Sequence, residues 1–421
     1  MGNNELKQTM LSKAQIAKSA SRKLVSMSSE QKNNILLSMV DALQQNIKEI
    51  LFYNEIDIQA AKDAGIGSAF IDRITLNEKR FYNMIKSIKD VIFLQDPIGT
   101  IAEEIIPSVN IDIKKIRVSL GVIAMIYEAR PNVTVDAAVL CLKAGNAVIL
   151  KGGYEAINSN KILAKTICVA GIKAGMPLGA IQFIDTMDRN VICELLHLDD
   201  FIDLVIPRGS EELIKFIKNH STIPVLFHGK GLCHTYIDKD ADVNMAINIA
   251  LNAKCQSPSV CNAMETLLIH KDLAEKVLPS LCKLYNDAGV EIIGCEISKK
   301  IVNSIKSATE KDWRTEYLDL KISIKIVDSL EEAIEHINKY GSMHSDAIVT
   351  NDKKNANKFI AEVDSSAVFV NASTRLHDGN VFGLGCEIGI STQKLHARGA
   401  MGIKELTTTK YVVKGNGTIR I

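Results

Sequence analysis

The chain has 421 residues, 47% of them hydrophobic and 24% charged, and a formal net charge of +1. That length exceeds one ordinary hydrophobic core and predicts two or three globular domains. The near-neutral balance leaves no electrostatic footprint for nucleic acid, and no apolar run is long enough to span a bilayer.

The polar start, MGNNELKQTM, lacks a signal-peptide core, and Leu6 stands where a myristoylation motif wants Ser or Thr. A cytosolic enzyme is the expectation. Residues 5–95 read as helices. Ile35, Leu36, Met39, Val40, Leu43, Ile47 and Ile50 recur at helical spacing, and Ser29 with Glu30 supplies an N-cap region before them. Asp96-Pro97-Ile98-Gly99 breaks that pattern. Two β-type runs follow, 100–106 and 111–119, with Pro107-Ser108-Val109-Asn110 as the turn between them. They are expected to form a projecting ribbon, and Thr407 to Val413 is a candidate strand to complete its sheet.

From residue 121 short apolar strands alternate with helices. Strands are expected at 121–127, 147–151, 181–184, 202–206 and 224–227. Helices are expected at about 133–143, 156–174, 188–197 and 210–219. This alternation predicts an α/β architecture with a parallel, doubly wound sheet, in which ligands bind at the carboxyl ends of strands. A second α/β stretch runs from about 232 to 370, with strands near 235–237, 265–269, 322–327, 347–349 and 367–370. The tail from 371 is rich in Gly and polar residues.

Nine cysteines without a CxxC pair predict reduced thiols rather than a disulfide scaffold. Cys233, His234, Cys255 and Cys261 match no usual zinc-ligand spacing. Cys261 follows a turn-forming segment and precedes a strand. A thiolate there would be a good nucleophile, while the bland alternative is a buried small hydrophobe. Glu128, Arg130 and Asn132 lie after the first parallel strand, before a helix N-terminus, where anions bind. Arg130 suits a phosphate or carboxylate and Asn132 an oxyanion; ordinary turn and cap chemistry would use the same residues. Lys151 ends a buried strand and is followed by Gly152 and Gly153, which allow close approach of a nucleotide. Arg208, Gly209 and Ser210 repeat that strand-to-turn pattern, and Arg208 suits the extra phosphate of NADP. There is no GxGxxG and no Walker P-loop, so an ordinary Rossmann dehydrogenase and an ATP-driven enzyme lack support. The segment 382–399, with Glu387 and Arg398, reads as a loop over a ligand or as a solvated crossover. His344 and Arg375 are further polar candidates.

These segments, in this order, resemble the gamma-glutamyl phosphate reductase family of the aldehyde dehydrogenase superfamily. The likeness is carried by YEARPNVTVDAAVLCLKAGNAVILKGGYEAINSN, VCNAMETLLIH, WRTEYLDL and FVNASTRLHDGNVFGLGCEIGISTQKLHARG, and spans nearly the whole chain from about residue 10. The resemblance implies an aldehyde dehydrogenase-like fold in three parts. An NADP-binding domain over 1–229 carries the oligomerisation ribbon at 100–119. A catalytic domain spans 230–372. The stretch 373–421 returns to the cofactor domain and adds an oligomerisation strand.

The implied activity is reduction of L-glutamyl 5-phosphate by NADPH to L-glutamate 5-semialdehyde with release of phosphate, the second step of proline biosynthesis from glutamate. By resemblance the nucleophile is Cys261 rather than Cys255, and Asn132 is the oxyanion residue. Lys151, Gly152, Arg208, Gly209, Ser210 and Glu387 are assigned to the cofactor. Glu128, Arg130, His344, Arg375 and Arg398 are assigned to the substrate. No metal is expected. A homo-oligomer is expected, with glutamate 5-kinase as a possible partner. Two departures stand out. Ser257 replaces the family's Arg before Pro258, leaving Lys254 as the cation expected near Cys261. No Glu occurs in 225–230, where hydrolytic aldehyde dehydrogenases keep their water-activating Glu.

Overall fold

The computed structural model describes residues 3–107, 111–188, 190–227 and 229–420. The chain forms two compact units. The first contains Met1–Phe227, Gly383–Gly389 and Met401–Ile421; the second contains His228–Phe382 and Ile390–Ala400.

The first unit opens with five helices: α1 (Asn3–Leu24), α2 (Ser29–Gln45), α3 (Ile47–Asp63), α4 (Ser68–Ile74) and α5 (Glu78–Phe93). Ile35, Leu36, Met39, Val40 and Leu43 are buried along one stripe of α2, as their spacing requires. The cap of α2 is Ser28, one residue earlier than expected. Its hydroxyl accepts from Gln31 N–H while the Gln31 side chain accepts from Ser28 N–H, a reciprocal capping box. Gly99 then turns the chain with φ of +79°, a conformation open to glycine at no steric cost.

Strands β1 (Ile101–Ile105) and β2 (Asp112–Ser119) pair antiparallel, and β16 (Thr407–Lys414) pairs along the whole of β2. The expected ribbon is thus a three-stranded sheet. Residues 108–110 of the expected turn lie outside the described residues. Next come β3 (Val122–Tyr127), α6 (Asn132–Lys143), β4 (Ala147–Gly152), α7 (Ile157–Lys173), β5 (Ile181–Phe183), α8 (Asn190–Leu195), β6 (Leu204–Arg208) and α9 (Glu211–His220). The four strands make a parallel sheet in the order β5-β4-β3-β6. All six residues of β3 are buried, as expected for a central strand covered on both faces. The run 224–227 does not continue the sheet as a strand; Val225 makes one isolated bridge to Val205.

The second unit is built on a parallel sheet of seven strands in the order β10-β9-β11-β8-β7-β12-β13. In chain order its elements are β7 (Cys233–Ile237), α10 (Val243–Cys255), β8 (Met264–His270), α11 (Lys271–Asp287), β9 (Glu291–Gly294), α12 (Glu296–Ile301), β10 (Lys306–Ser307), β11 (Lys321–Val327), α13 (Leu330–Tyr340), β12 (Ser345–Val349), α14 (Lys353–Glu362) and β13 (Ala367–Val370). Two short strands, β14 (Gly389–Ser391) and β15 (Gly399–Met401), pair in the tail.

The return of the chain to the first unit therefore differs from an expected boundary at 373. Residues 373–382 stay with the second unit because their polar groups bind it: Thr374 Oγ1 donates to Asn262 O at 2.8 Å and Arg375 Nε to Gln256 Oε1 at 2.9 Å. Residues 390–400 do likewise, with Arg398 Nη1 2.9 Å from Asp364 Oδ1.

Candidate active site

In the first unit the candidate residues gather at the carboxyl edge of the parallel sheet. Register puts Gly152 and Arg208 on either side of Tyr127, one row beyond Lys151. The ends of β4 and β6 thus flank β3, about 10 Å apart at ordinary strand spacing. The chain leaves β3 through Ala129, whose φ of +46° lies in the left-handed region. An alanine there stores strain of the sort found at functional turns.

Glu128 points across to the turn after β6. Its carboxylate accepts from Ser210 N–H at 2.7 Å, and a Cβ on Gly209 would stand 2.4 Å from Glu128 Oε2. Gly209 is therefore glycine to admit this carboxylate. Ser210 in turn caps α9, accepting from Leu213 N–H at 3.3 Å. Glu128 is thereby joined to two residues that the resemblance assigns to the cofactor. Lys151 is buried, and its Nζ gives one of three protons to Gly152 O at 2.8 Å. A cationic pair, Lys151 and Arg208, at the carboxyl edge of a parallel sheet fits the phosphates of a dinucleotide.

Asn132 begins α6 and is exposed. Its amide donates to Asp136 Oδ2, one turn on, at 2.8 Å, leaving the second N–H of the amide for another acceptor. Burial pushes the Asp136 carboxyl up to about 7, against the Asn132 bond and the charge of Arg208, with Glu387 adding to the rise. Asp136, Arg208 and Glu387 thus share one electrostatic neighbourhood. Nothing in the sequence marked a role for Asp136, since one Asp on a helix is ordinary.

In the second unit, Cys261 lies half-buried in the turn between α10 and β8. Two segments bracket that turn. From one side come Arg375 on Gln256 and Thr374 on the Asn262 carbonyl, while Asn262 Nδ2 donates to His377 O at 2.8 Å. From the other comes 231–233. A Cβ on Gly231 would stand 2.0 Å from the Cys261 carbonyl oxygen, so only glycine lets this segment lie so close. The Cys233 thiol donates to that same oxygen at 3.2 Å, and its sulfur lies 3.7 Å from His344 Nδ1. Burial holds the Cys233 thiol well above its ordinary range, so it remains a protonated donor at neutral pH.

The segment is itself fixed by side chains. Gly231 N–H donates to Glu316 at 2.9 Å, Leu232 N–H to Ser342 at 2.9 Å and His234 N–H to Asp346 at 2.7 Å. The motif WRTEYLDL thereby has a physical role, since Glu316 braces Gly231 and Leu318 N–H reaches Glu265 at 3.2 Å.

Two expectations change. Lys254 does not stand as a lone cation by Cys261: it is fully buried and donates to Glu265 Oε2 at 2.7 Å. Arg398 is engaged by Asp364, through Nη1 to the carboxylate and Nη2 to the carbonyl, each at 2.9 Å. Arg375, in contrast, sits on the turn that carries Cys261. His344 is buried in the same cluster.

The model of the aldehyde dehydrogenase family matches residues 5–312. The gamma-glutamyl phosphate reductase of Thermodesulfovibrio yellowstonii is 52% identical over 416 residues, covering 99% of this chain and all of the relative. This chain belongs to the gamma-glutamyl phosphate reductase family, within the aldehyde dehydrogenases. The reductase of Caldanaerobacter subterraneus subsp. tengcongensis is also 52% identical, over 97% of this chain and 99% of its own. Among solved structures, gamma-glutamyl phosphate reductase from Thermotoga maritima aligns at a TM-score of 0.94 and 43% identity, over 98% of this chain and 100% of that one. The fold is that of the aldehyde dehydrogenases, as the sequence resemblance implied. Among the described residues no helix is long and apolar enough to cross a membrane.

Proposed function

We propose that this protein reduces L-glutamyl 5-phosphate to L-glutamate 5-semialdehyde, releasing phosphate, in the cytoplasmic synthesis of proline. The observation that carries the reading is full-length identity of about half to proteins of that named activity. As an aldehyde dehydrogenase the chain uses a nicotinamide cofactor, and Arg208 at a strand's carboxyl end favours NADPH over NADH.

The first unit is the cofactor domain, with Lys151, Gly152, Arg208, Gly209, Ser210 and Glu387 holding the dinucleotide. Glu128 shapes that site through Gly209 and Ser210. The second unit supplies the nucleophile. NADPH, when bound, supplies the hydride. Cys261 thiolate attacks the acyl phosphate, the second amide N–H of Asn132 steadies the oxyanion, and phosphate leaves as the thioester forms. After reduction the hemithioacetal collapses to the aldehyde and frees the thiol. Arg375, which donates to Gln256 on the nucleophile's turn, is the preferred holder of the substrate's carboxylate or phosphate, and Arg130 is a further contact; Arg398 ranks below them because Asp364 engages it, and His344 because it is fully buried behind Cys233.

The absence of Glu from 225–230 supports an enzyme that exchanges its acyl group with phosphate rather than water. The β1–β2–β16 sheet is the oligomerisation element of a homo-oligomer, and the kinase that makes the labile acyl phosphate is a reasonable partner.

The test is the reverse reaction. Glutamate 5-semialdehyde, phosphate and NADP should give NADPH only when phosphate is present, and none with Cys261→Ala. Phosphate-independent turnover would assign a hydrolytic dehydrogenase instead.

A further inference from the structure

Cys261 stands within a closed ring of buried polar contacts confined to the second unit. The Cys233 thiol meets the Cys261 carbonyl oxygen at 3.2 Å and lies 3.7 Å from His344 Nδ1. His344 Nδ1 is 2.7 Å from Ser345 Oγ, which is 2.7 Å from His377 Nδ1. The carbonyl of His377 accepts from Asn262, the residue after Cys261, and so completes the circuit.

The ring has a fixed direction. Ala400 N–H donates to His377 Nε2 at 3.2 Å, so that nitrogen carries the lone pair and Nδ1 carries the proton. His377 therefore donates to Ser345, and Ser345 donates to His344 Nδ1. Burial and the nearby His344 push His377 down to about 3, so this polarity persists across the working pH range. Ser345, His344 and His377 are all fully buried. Ser345 thus takes the lone pair of His344 Nδ1, and the Cys233 sulfur, whose proton goes to the Cys261 carbonyl, packs against that nitrogen without a hydrogen bond.

We propose that Cys233 is a positioning residue for the reaction, holding the Cys261 peptide in place through its thiol, with His377 and Ser345 fixing the His344 ring that packs against the Cys233 sulfur. The inference rests on the reading of Cys261 as the nucleophile. Misplacing a reacting atom by even 1 Å can cost on the order of a hundredfold in rate. Here the restraint acts on the backbone of the nucleophile itself. The absent side chain of Gly231 gives Cys233 its approach, and the braces from Glu316, Ser342 and Asp346 hold 231–234 against drift.

The test compares full-length wild type, Cys233→Ala, Cys233→Ser, Ser345→Ala and Cys261→Ala for kcat and KM in the phosphate-dependent reverse reaction. Single-turnover NADPH formation without phosphate is measured alongside. Loss of the weak thiol bond should lower kcat and the single-turnover rate about tenfold in Cys233→Ala, with KM for aldehyde and NADP within about twofold. Cys233→Ser keeps a donor and should recover most of the rate. Ser345→Ala, one link further away, should lower kcat about threefold and keeps the proposal testable if Cys233→Ala does not fold. Wild-type kcat in both Cys233→Ala and Ser345→Ala, with Cys261→Ala inactive, overturns the positioning role alone. So does a loss in Cys233→Ala that Cys233→Ser fails to repair. Turnover by Cys261→Ala would instead overturn the nucleophile reading beneath it.

Discussion

Lys254 Nζ donates to Glu265 Oε2 at 2.7 Å, with neither side chain more than 1% exposed. Lys254 lies in the last turn of α10 and Glu265 on β8, so the pair closes the base of the loop that holds Cys261. Burial pushes the Glu265 carboxyl up to about 7 even with the lysine beside it. Breaking a buried pair strands one charge in an apolar site. Lys254→Met should therefore cost about 3–5 kcal/mol in urea unfolding, and Lys254→Met with Glu265→Leu should recover most of it. A double variant no more stable than the single one would mean that the pair is not a closed electrostatic unit.

Asp136 gives a signed dependence on pH. Its carboxyl is raised from 3.8 to about 7. Between those values the folded chain keeps a proton that the unfolded chain has released, so the unfolded state binds fewer protons. The stability this group contributes is complete below about pH 4 and is lost as pH rises through about 7. Asp136→Asn removes that loss. Calorimetry at pH 5, 6 and 7 should show the midpoint of the variant gaining steadily on wild type. A gap that stays constant over this range contradicts the raised carboxyl.

Glu128 separates two roles. Its carboxylate holds Ser210 N–H and fills the space a Cβ on Gly209 would need. Glu128→Gln should therefore weaken NADPH binding about tenfold, measured by fluorescence titration, while KM for the acyl substrate stays near wild type. A change in substrate KM with unaltered cofactor affinity would return Glu128 to the substrate side.

Arg208 is the residue proposed to favour NADPH. A charge-assisted bond to the extra phosphate contributes about 1.5–3 kcal/mol. Arg208→Ala should lower the ratio of kcat/KM for NADPH over NADH by about tenfold or more. An unchanged ratio places the discrimination elsewhere.

Much of this architecture was legible because local pattern and tertiary environment agree. Strands such as β3 and β4 are apolar throughout because they are buried on both faces, and so read clearly. The run 224–227 looks equally apolar, yet it ends as one bridge at Val225. Strand β10 is two exposed polar residues at a sheet edge, Lys306 and Ser307, with no periodic signal at all. At the site, Cys261 and the carboxyl-edge residues were visible as motifs. The roles of Cys233, Ser345, His377 and Asp136 were not, even though His377 and Asp136 lie within the quoted motifs, since these roles arise from contacts across 28 to 115 residues of chain or from burial. Lys254 shows the converse case: its charge was legible, but the partner that engages it lies on the next strand.

The central claim is a covalent acyl-enzyme on Cys261. The direct measurement is acid-quenched mass spectrometry of wild type after glutamate 5-semialdehyde and NADP without phosphate, with fragmentation to separate Cys261 from Cys255. The account predicts a glutamyl adduct on Cys261, formed with one equivalent of NADPH and discharged by added phosphate. An adduct on Cys255, or phosphate-dependent turnover with no adduct on either cysteine, would contradict it.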